Sequence, residues 1–126
     1  MYTVAVKRQF IARHYLIGGN WGSENQEHSH FYQLEVSLEG PQLDEHGYLI
    51  DITAINGLLD GVVIRLHDRV LNDIQELAGL NPSIEHLAGL CCQWVQDGLT
   101  NPPIDAICVK IFENEDAWAS VRRLIK

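Results

Sequence analysis

His28 and His30 stand two residues apart in a stretch whose apolar residues alternate. On a strand both imidazoles therefore project from one face, about 7 Å apart along the backbone, close enough to converge on one ion. His14 lies near the end of the preceding alternating stretch, and a hairpin-like return brings it beside them. Three neutral imidazoles make a catalytic zinc shell with a fourth position open to water or substrate, although copper and nickel accept the same ligands. Spacing alone also admits a His-Ser-His polar stripe on a solvated sheet, with no ion. Two carboxylates, Glu24 and Glu27, sit between the histidines in sequence. As a strand residue Glu27 points away from the face of His28 and His30, whereas Glu24 belongs to the Gly- and Asn-rich run before them. There a carboxylate is either a general base held near the site or a solvated loop charge.

The elements that must position these groups are legible as periodicities. Residues 2–14 alternate with a period of two, the run from Gly18 to Asn25 reads as a loop, and a second long strand carries His28, His30, Tyr32, Leu34, Val36 and Leu38 on one parity. Gly40-Pro41 ends it, and the turn Asp44-Glu45-His46-Gly47 predicts a short strand from Tyr48 to Asp51. Helical spacing follows in Ile55, Leu58, Leu59, Val62, Val63 and Leu66, with Asp51 or Thr53 as the cap and Gly57 and Gly61 admitting close packing. An irregular connection from His67 to Leu80 leads to a second helix signalled by Asn81-Pro82-Ser83-Ile84-Glu85 and running to about Gly98. Strands from Ile104 to Phe112 and from Trp118 to Ile125 complete an α+β pattern, a four-stranded antiparallel sheet with two helices on one face. The other face and the edges are left for neighbours, so an oligomer is expected.

The 126 residues are expected to form one domain spanning 1–126, and 46% hydrophobic content suffices for a core that needs no structural metal or disulfide. A metal site here needs a functional reason. Nine basic against 17 acidic residues, a net charge of -8, argues against binding nucleic acid by phosphate neutralisation. Without a signal-like or membrane-length apolar segment, and with three unbridged cysteines at 91, 92 and 108, a cytoplasmic location is expected and no membrane partner.

The motifs Phe10-Ile11-Ala12-Arg13-His14 and Glu24-Asn25-Gln26-Glu27-His28-Ser29-His30 resemble the paired signature of the 6-pyruvoyltetrahydropterin synthase and 6-carboxytetrahydropterin synthase family, F-x-A-x-H then C-x-x-x-H-G-H. The similarity continues through Gly47 to Asp51, Leu71-Asn72-Asp73, Asn81 to Glu85 and the strand ending in Glu113, nearly the whole chain in order. The resemblance implies a tunnelling fold, in which the sheets of a trimer join into a barrel and two trimers stack as a homohexamer. It also implies Zn²⁺ on His14, His28 and His30, a pterin substrate anchored by Glu113 with a further hydrogen bond from Glu85, and a zinc-dependent lyase activity. Glu113 suits its role because a carboxylate accepts two parallel hydrogen bonds from the amidine-like edge of a pterin; Glu85 is equally explained by the helix dipole.

Where the family has its catalytic Cys, this chain has Glu24, and where the family has Asp-His before Leu-Asn, this chain has His67-Asp68 in reversed order. A Glu-bearing subset of the family acts on 7,8-dihydroneopterin triphosphate and cleaves its side chain to 6-hydroxymethyl-7,8-dihydropterin, a step of folate biosynthesis. The expected catalytic residues are accordingly Glu24 as base, with His67 and Asp68 as a reorganised proton relay or its remnant. The alternatives are a non-catalytic zinc- and pterin-binding protein, and the 6-carboxytetrahydropterin synthase of the deazapurine (queuosine) pathway, which the missing Cys weakens.

Overall fold

The alternation of residues 2–14 becomes a thirteen-residue strand β1 (Tyr2–His14), which pairs antiparallel with β2 (His28–Gly40) in an unbroken register from Tyr2↔Gly40 to His14↔His28 in the computed structural model, which describes residues 1–125. Strand β3 (Ala106–Phe112) adds to β2, and β4 (Trp118–Leu124) to β3, so the sheet order is β1-β2-β3-β4 with every pair antiparallel. The four long strands of the expected sheet and both helices are present.

One face of the sheet is the core. Phe10, Ala12, Tyr32, Leu34, Val36, Leu38, Ile107, Val109 and Ile111 are buried there beneath α1 (Ile52–Leu66) and α2 (Ile84–Gly98), which contribute Ile55, Leu59 and Leu66, and Leu87, Cys91 and Val95. Both helix starts are capped by side chains. Asp51 accepts the Thr53 amide at 2.9 Å, and Ser83 accepts the His86 amide at 3.1 Å. The opposite face carries no helix and is held by charge pairs across the strands: Glu35 takes Lys7 on one side and Lys110 on the other, each at 3.7 Å, and Arg122 reaches Glu39 at 3.1 Å. Lys110 also lies 4.2 Å over the ring of Trp118.

Two expectations are corrected. Residues 48–51 form no strand: the Asp44 carboxylate takes the amides of His46 and Tyr48 at 2.8 and 3.0 Å, leaving a loop in which Leu49 is buried while Tyr48 is 62% exposed. With no neighbouring strand for their amides, and with Asp51 already committed as a helix cap, the local turn wins. Gly57 and Gly61 do not mediate close packing, since a Cβ at either would meet nothing within 4 Å. The close approach is at Gly98 of α2, where a Cβ would collide with the Leu58 side chain of α1. Gly57→Ala and Gly61→Ala should therefore each raise stability by about 0.5–1 kcal/mol, whereas Gly98→Ala should lower it. Urea unfolding of the three variants checks the difference in sign.

Candidate metal and catalytic site

At the end of the β1–β2 ladder, His14 faces His28 and Ala12 faces His30. All three histidines share the helix-side parity of the core, and one ring nitrogen from each lies within 4.8 Å of the other two. The rings meet edge to face, with centroids 4.6 to 4.9 Å apart. His14, at 5% exposure, is the buried member.

Backbone carbonyls orient two of the rings. His14 Nδ1 lies 3.1 Å from the carbonyl of Pro82, just before α2, and His28 Nδ1 lies 2.8 Å from the carbonyl of Gln26. A carbonyl can only accept, so both Nδ1 atoms carry protons and both Nε2 atoms present lone pairs. Those two Nε2 atoms stand 3.0 Å apart. Two lone pairs at that distance repel unless a cation or a proton lies between them. Zinc–nitrogen bonds of about 2.0–2.1 Å in a tetrahedral shell put ligand nitrogens roughly 3.3 Å apart, close to this spacing. The third ring makes the same point, because His30 Nε2 is buried and has no hydrogen-bond partner among the described residues. Glu113 Oε1 is only 3.2 Å away but out of line for a hydrogen bond, and the pair is ionic only when the imidazole is protonated. An orphaned nitrogen, two facing lone pairs and carbonyl-anchored Nδ1 protons fit a divalent metal.

The electrostatics favour a neutral His14. Burial holds the His14 pKa below its ordinary value of 6.5, and His30 and His28 press it further down against the opposing pull of the Pro82 carbonyl and Glu113. Tyr32, buried beneath the site with its hydroxyl 3.3 Å from His14 Nδ1, has its pKa raised by burial and by Glu113.

The other sequence candidates fall around this cluster. Glu24 lies in a 3-10 turn (Gly22–Asn25) on the loop between the ligands. Its backbone carbonyl accepts the Leu16 amide at 2.9 Å, and its exposed carboxylate has no hydrogen-bond or ion-pair partner among the described residues. Glu27 is instead paired with Arg13 at 3.4 Å. Glu113 follows β3 directly and reaches His30, beside a cleft of about 640 Å³ lined in part by Phe31, Gln33 and Phe112. Glu85 sits exposed in the first turn of α2. His67 and Asp68 are elsewhere, on the free edge of β1: the Asp68 amide donates to the Ile11 carbonyl at 2.8 Å, and His67 Nδ1 accepts from the Ile11 amide at 3.3 Å. Their side chains face each other at 3.3 Å, both exposed. Ile11 is three residues before His14, about 10 Å along the strand, so one chain does not bring this pair to the histidine cluster.

Sequence reasoning missed the carbonyls of Pro82 and Gln26, which no side-chain pattern signals. It also missed Tyr32, whose shared parity with His30 was a usable sign.

The sequence and the fold have counterparts among known proteins. Residues 3–124 match the 6-pyruvoyl tetrahydropterin synthase family, and the chain belongs to that family of pterin-pathway enzymes. Among individual relatives, it is 32% identical over 85 residues to a dihydroneopterin monophosphate aldolase of Pyrococcus furiosus, covering 68% of this chain and 67% of that protein. It is 25% identical over 120 residues to a provisionally named 6-carboxy-5,6,7,8-tetrahydropterin synthase of Archaeoglobus fulgidus, covering 95% of each. The fold matches the 6-pyruvoyl tetrahydropterin synthase of Caenorhabditis elegans with a TM-score of 0.82 at 20% identity, over 98% of this chain and 97% of that one.

Metal analysis should find one zinc per chain, severely reduced in His28→Ala; full zinc in the His14→Ala, His28→Ala, His30→Ala triple variant would rule the site out. In the metal-free protein, the depressed His14 pKa means stability is present above the unfolded value of 6.5 and is lost as pH falls through the folded value. Unfolding midpoints measured from about pH 8 to about pH 5 should fall, and His14→Gln should flatten the decline.

Proposed function

We propose that this chain is a zinc-dependent lyase that cleaves the side chain of 7,8-dihydroneopterin triphosphate, or a related phosphorylated dihydroneopterin, to 6-hydroxymethyl-7,8-dihydropterin. The observation that carries the reading is the unpaired carboxylate of Glu24 on the loop joining the ligand strands. It stands where the family's signature has a Cys, and the chain's own thiols do not substitute for one. Cys91 and Cys92 are buried in α2, with the Cys91 thiol pushed up to about 12 by burial and by Cys92, and Cys108 is on β3. The name of the Pyrococcus furiosus relative, an aldolase of dihydroneopterin monophosphate, supports the same reaction class. A Plasmodium vivax 6-pyruvoyltetrahydropterin synthase structure of the same fold, 14% identical with a TM-score of 0.83, is a variant of a catalytic Glu, which supports a carboxylate, though not this reaction, at such a site.

In this reading, His14, His28 and His30 hold the ion, and a zinc ion bound there supplies Lewis-acid polarisation of substrate oxygens. Glu113 receives the N–H edge of the pterin with two parallel hydrogen bonds and fixes the ring against the cleft. Glu24 takes the proton of a side-chain hydroxyl. As that oxygen becomes a carbonyl, the neighbouring carbon–carbon bond breaks, its electron pair passes toward the pterin ring, and a proton returns to the carbon left on the ring. Glu85 is assigned a secondary contact to the ring, and His67 with Asp68 a proton relay furnished across a subunit boundary in a trimer or hexamer.

A second reading, 6-carboxytetrahydropterin synthase, is favoured by the Archaeoglobus fulgidus relative. Incubation with dihydroneopterin mono- and triphosphate, with products identified by mass spectrometry, separates the two: 6-hydroxymethyl-7,8-dihydropterin supports the lyase, 6-carboxytetrahydropterin the second reading, and bound but unchanged substrate a binding protein. Glu24→Gln should lower turnover roughly 10²–10⁴-fold with zinc still bound. If Glu27→Gln abolishes turnover while Glu24→Gln does not, the base is misassigned. Light scattering should show a trimer or hexamer, and a monomer would remove the shared relay.

A further inference from the structure

Beyond His14 the sheet gives way to loop, yet the chain stays extended for three more residues without a neighbouring strand on its free edge. Side-chain amides take the strand's place. Asn72 Oδ1 accepts the Tyr15 amide at 3.0 Å, and Asn72 Nδ2 donates to the Tyr15 carbonyl at 2.9 Å. Two residues on, Asn81 Oδ1 accepts the Ile17 amide at 2.7 Å, and its Nδ2 donates to the Ile17 carbonyl at 3.1 Å. A side-chain amide has the donor and acceptor of a peptide group, so each Asn imitates one residue of a paired strand. The intervening Leu16 is bonded on the other side. Its amide donates to the carbonyl of Glu24 at 2.9 Å, and its carbonyl accepts Asn25 Nδ2 at 3.0 Å. Every backbone donor and acceptor from Tyr15 to Ile17 is thus committed, to the two asparagines on one side and to the Glu24 turn on the other.

We infer that Asn72 and Asn81 are positioning residues for Glu24: they form an amide clamp that holds residues 15–17 as a rail on which the Glu24 turn is docked. The inference rests on the assignment of Glu24 as the base. The rail couples the site's parts. Asn81 holds Ile17 while the carbonyl of the next residue, Pro82, holds the His14 ring, and the turn continues through Gln26, whose carbonyl holds His28. The Glu24 carboxylate makes no bond among the described residues, so its place is set through the backbone of its turn, by the bonds to Leu16 and to the Trp21 carbonyl at 3.3 Å and by the Asn25 contacts. Loosening the rail should displace the base without removing a ligand of the metal.

The test combines amide exchange with a double-mutant cycle on the zinc-loaded protein. In Asn72→Ala and Asn81→Ala the Leu16 amide, which touches neither asparagine, should exchange faster along with those of Tyr15 and Ile17. Each variant should lose roughly 10–100-fold in kcat with little change in KM and undiminished zinc. In a Glu24→Gln background the same substitutions should change the residual kcat by less than about twofold, because the group they position is already disabled. Unchanged Leu16 exchange, unchanged kcat, an equal kcat loss in both backgrounds, or zinc loss that tracks activity would each overturn the clamp. Wild-type turnover in Glu24→Gln alone would sink the base assignment instead, and the clamp would then lose its catalytic purpose even with Leu16 exchange altered as expected. Should an Ala variant fail to fold, Asn72→Asp keeps an acceptor for the Tyr15 amide while turning the donor into a carboxylate oxygen that repels the Tyr15 carbonyl, and the same measurements apply.

Discussion

His14 and His28 oppose each other only because thirteen consecutive residues of β1 pair with thirteen of β2 in one register, and that register is held by the core rather than by the histidines. Phe10, Ala12 and His14 alternate to the same side as Tyr32, Leu34, Val36 and Leu38. A slip of one residue would carry the buried set of either strand to the charged face, which burial of so many side chains forbids. Hydrophobic burial, at about 25 cal/mol per Å² of apolar surface, thereby fixes the ligand geometry within a fraction of a strand repeat. The ion pairs on the other face reinforce the parity: Glu35 between Lys7 and Lys110 stays with its partners only in this register.

Docking of the helices completes what the ladder begins. The carbonyl that sets the His14 tautomer belongs to Pro82, two residues before α2 begins, so the ring's orientation depends on where that helix lies on the sheet. Ser83 caps the same helix start, and Leu87, Cys91 and Val95 anchor it to the core. Packing distant from the cluster therefore reaches the ligands through one peptide carbonyl. The amide clamp uses the same neighbourhood, since Asn81 adjoins Pro82.

What the sequence reveals of this molecule follows from which signals are periodic. The parity of His14, His28 and His30, the two helices and the four strands of an antiparallel α+β sheet all rest on alternation or helical spacing, and all are present. The strand expected from Tyr48 to Asp51 was too short to carry a period, and the Asp44 side chain decided the segment. Asn72 and Asn81 stood within recognisable motifs, but their partners are backbone groups 57 and 64 residues away, a distance over which local pattern has no purchase. The position of His67 and Asp68 on the β1 edge was hidden for the same reason: it depends on hydrogen bonds to Ile11 that no spacing rule contains.

All three imidazoles come from residues 14 to 30, a single hairpin, and this shapes the thermodynamics of any ion they hold. Closing so short a loop costs little configurational entropy, and the β1–β2 ladder closes it in any case. The ion meets ligands already gathered, so its binding free energy is not consumed in assembling the chain, as it is in small domains that fold only around their metal. What it relieves is the mutual repulsion of the His14 and His28 lone pairs and the lack of a partner for His30 Nε2. The folded hairpin is, in that sense, a chelator assembled in advance by the β1–β2 ladder.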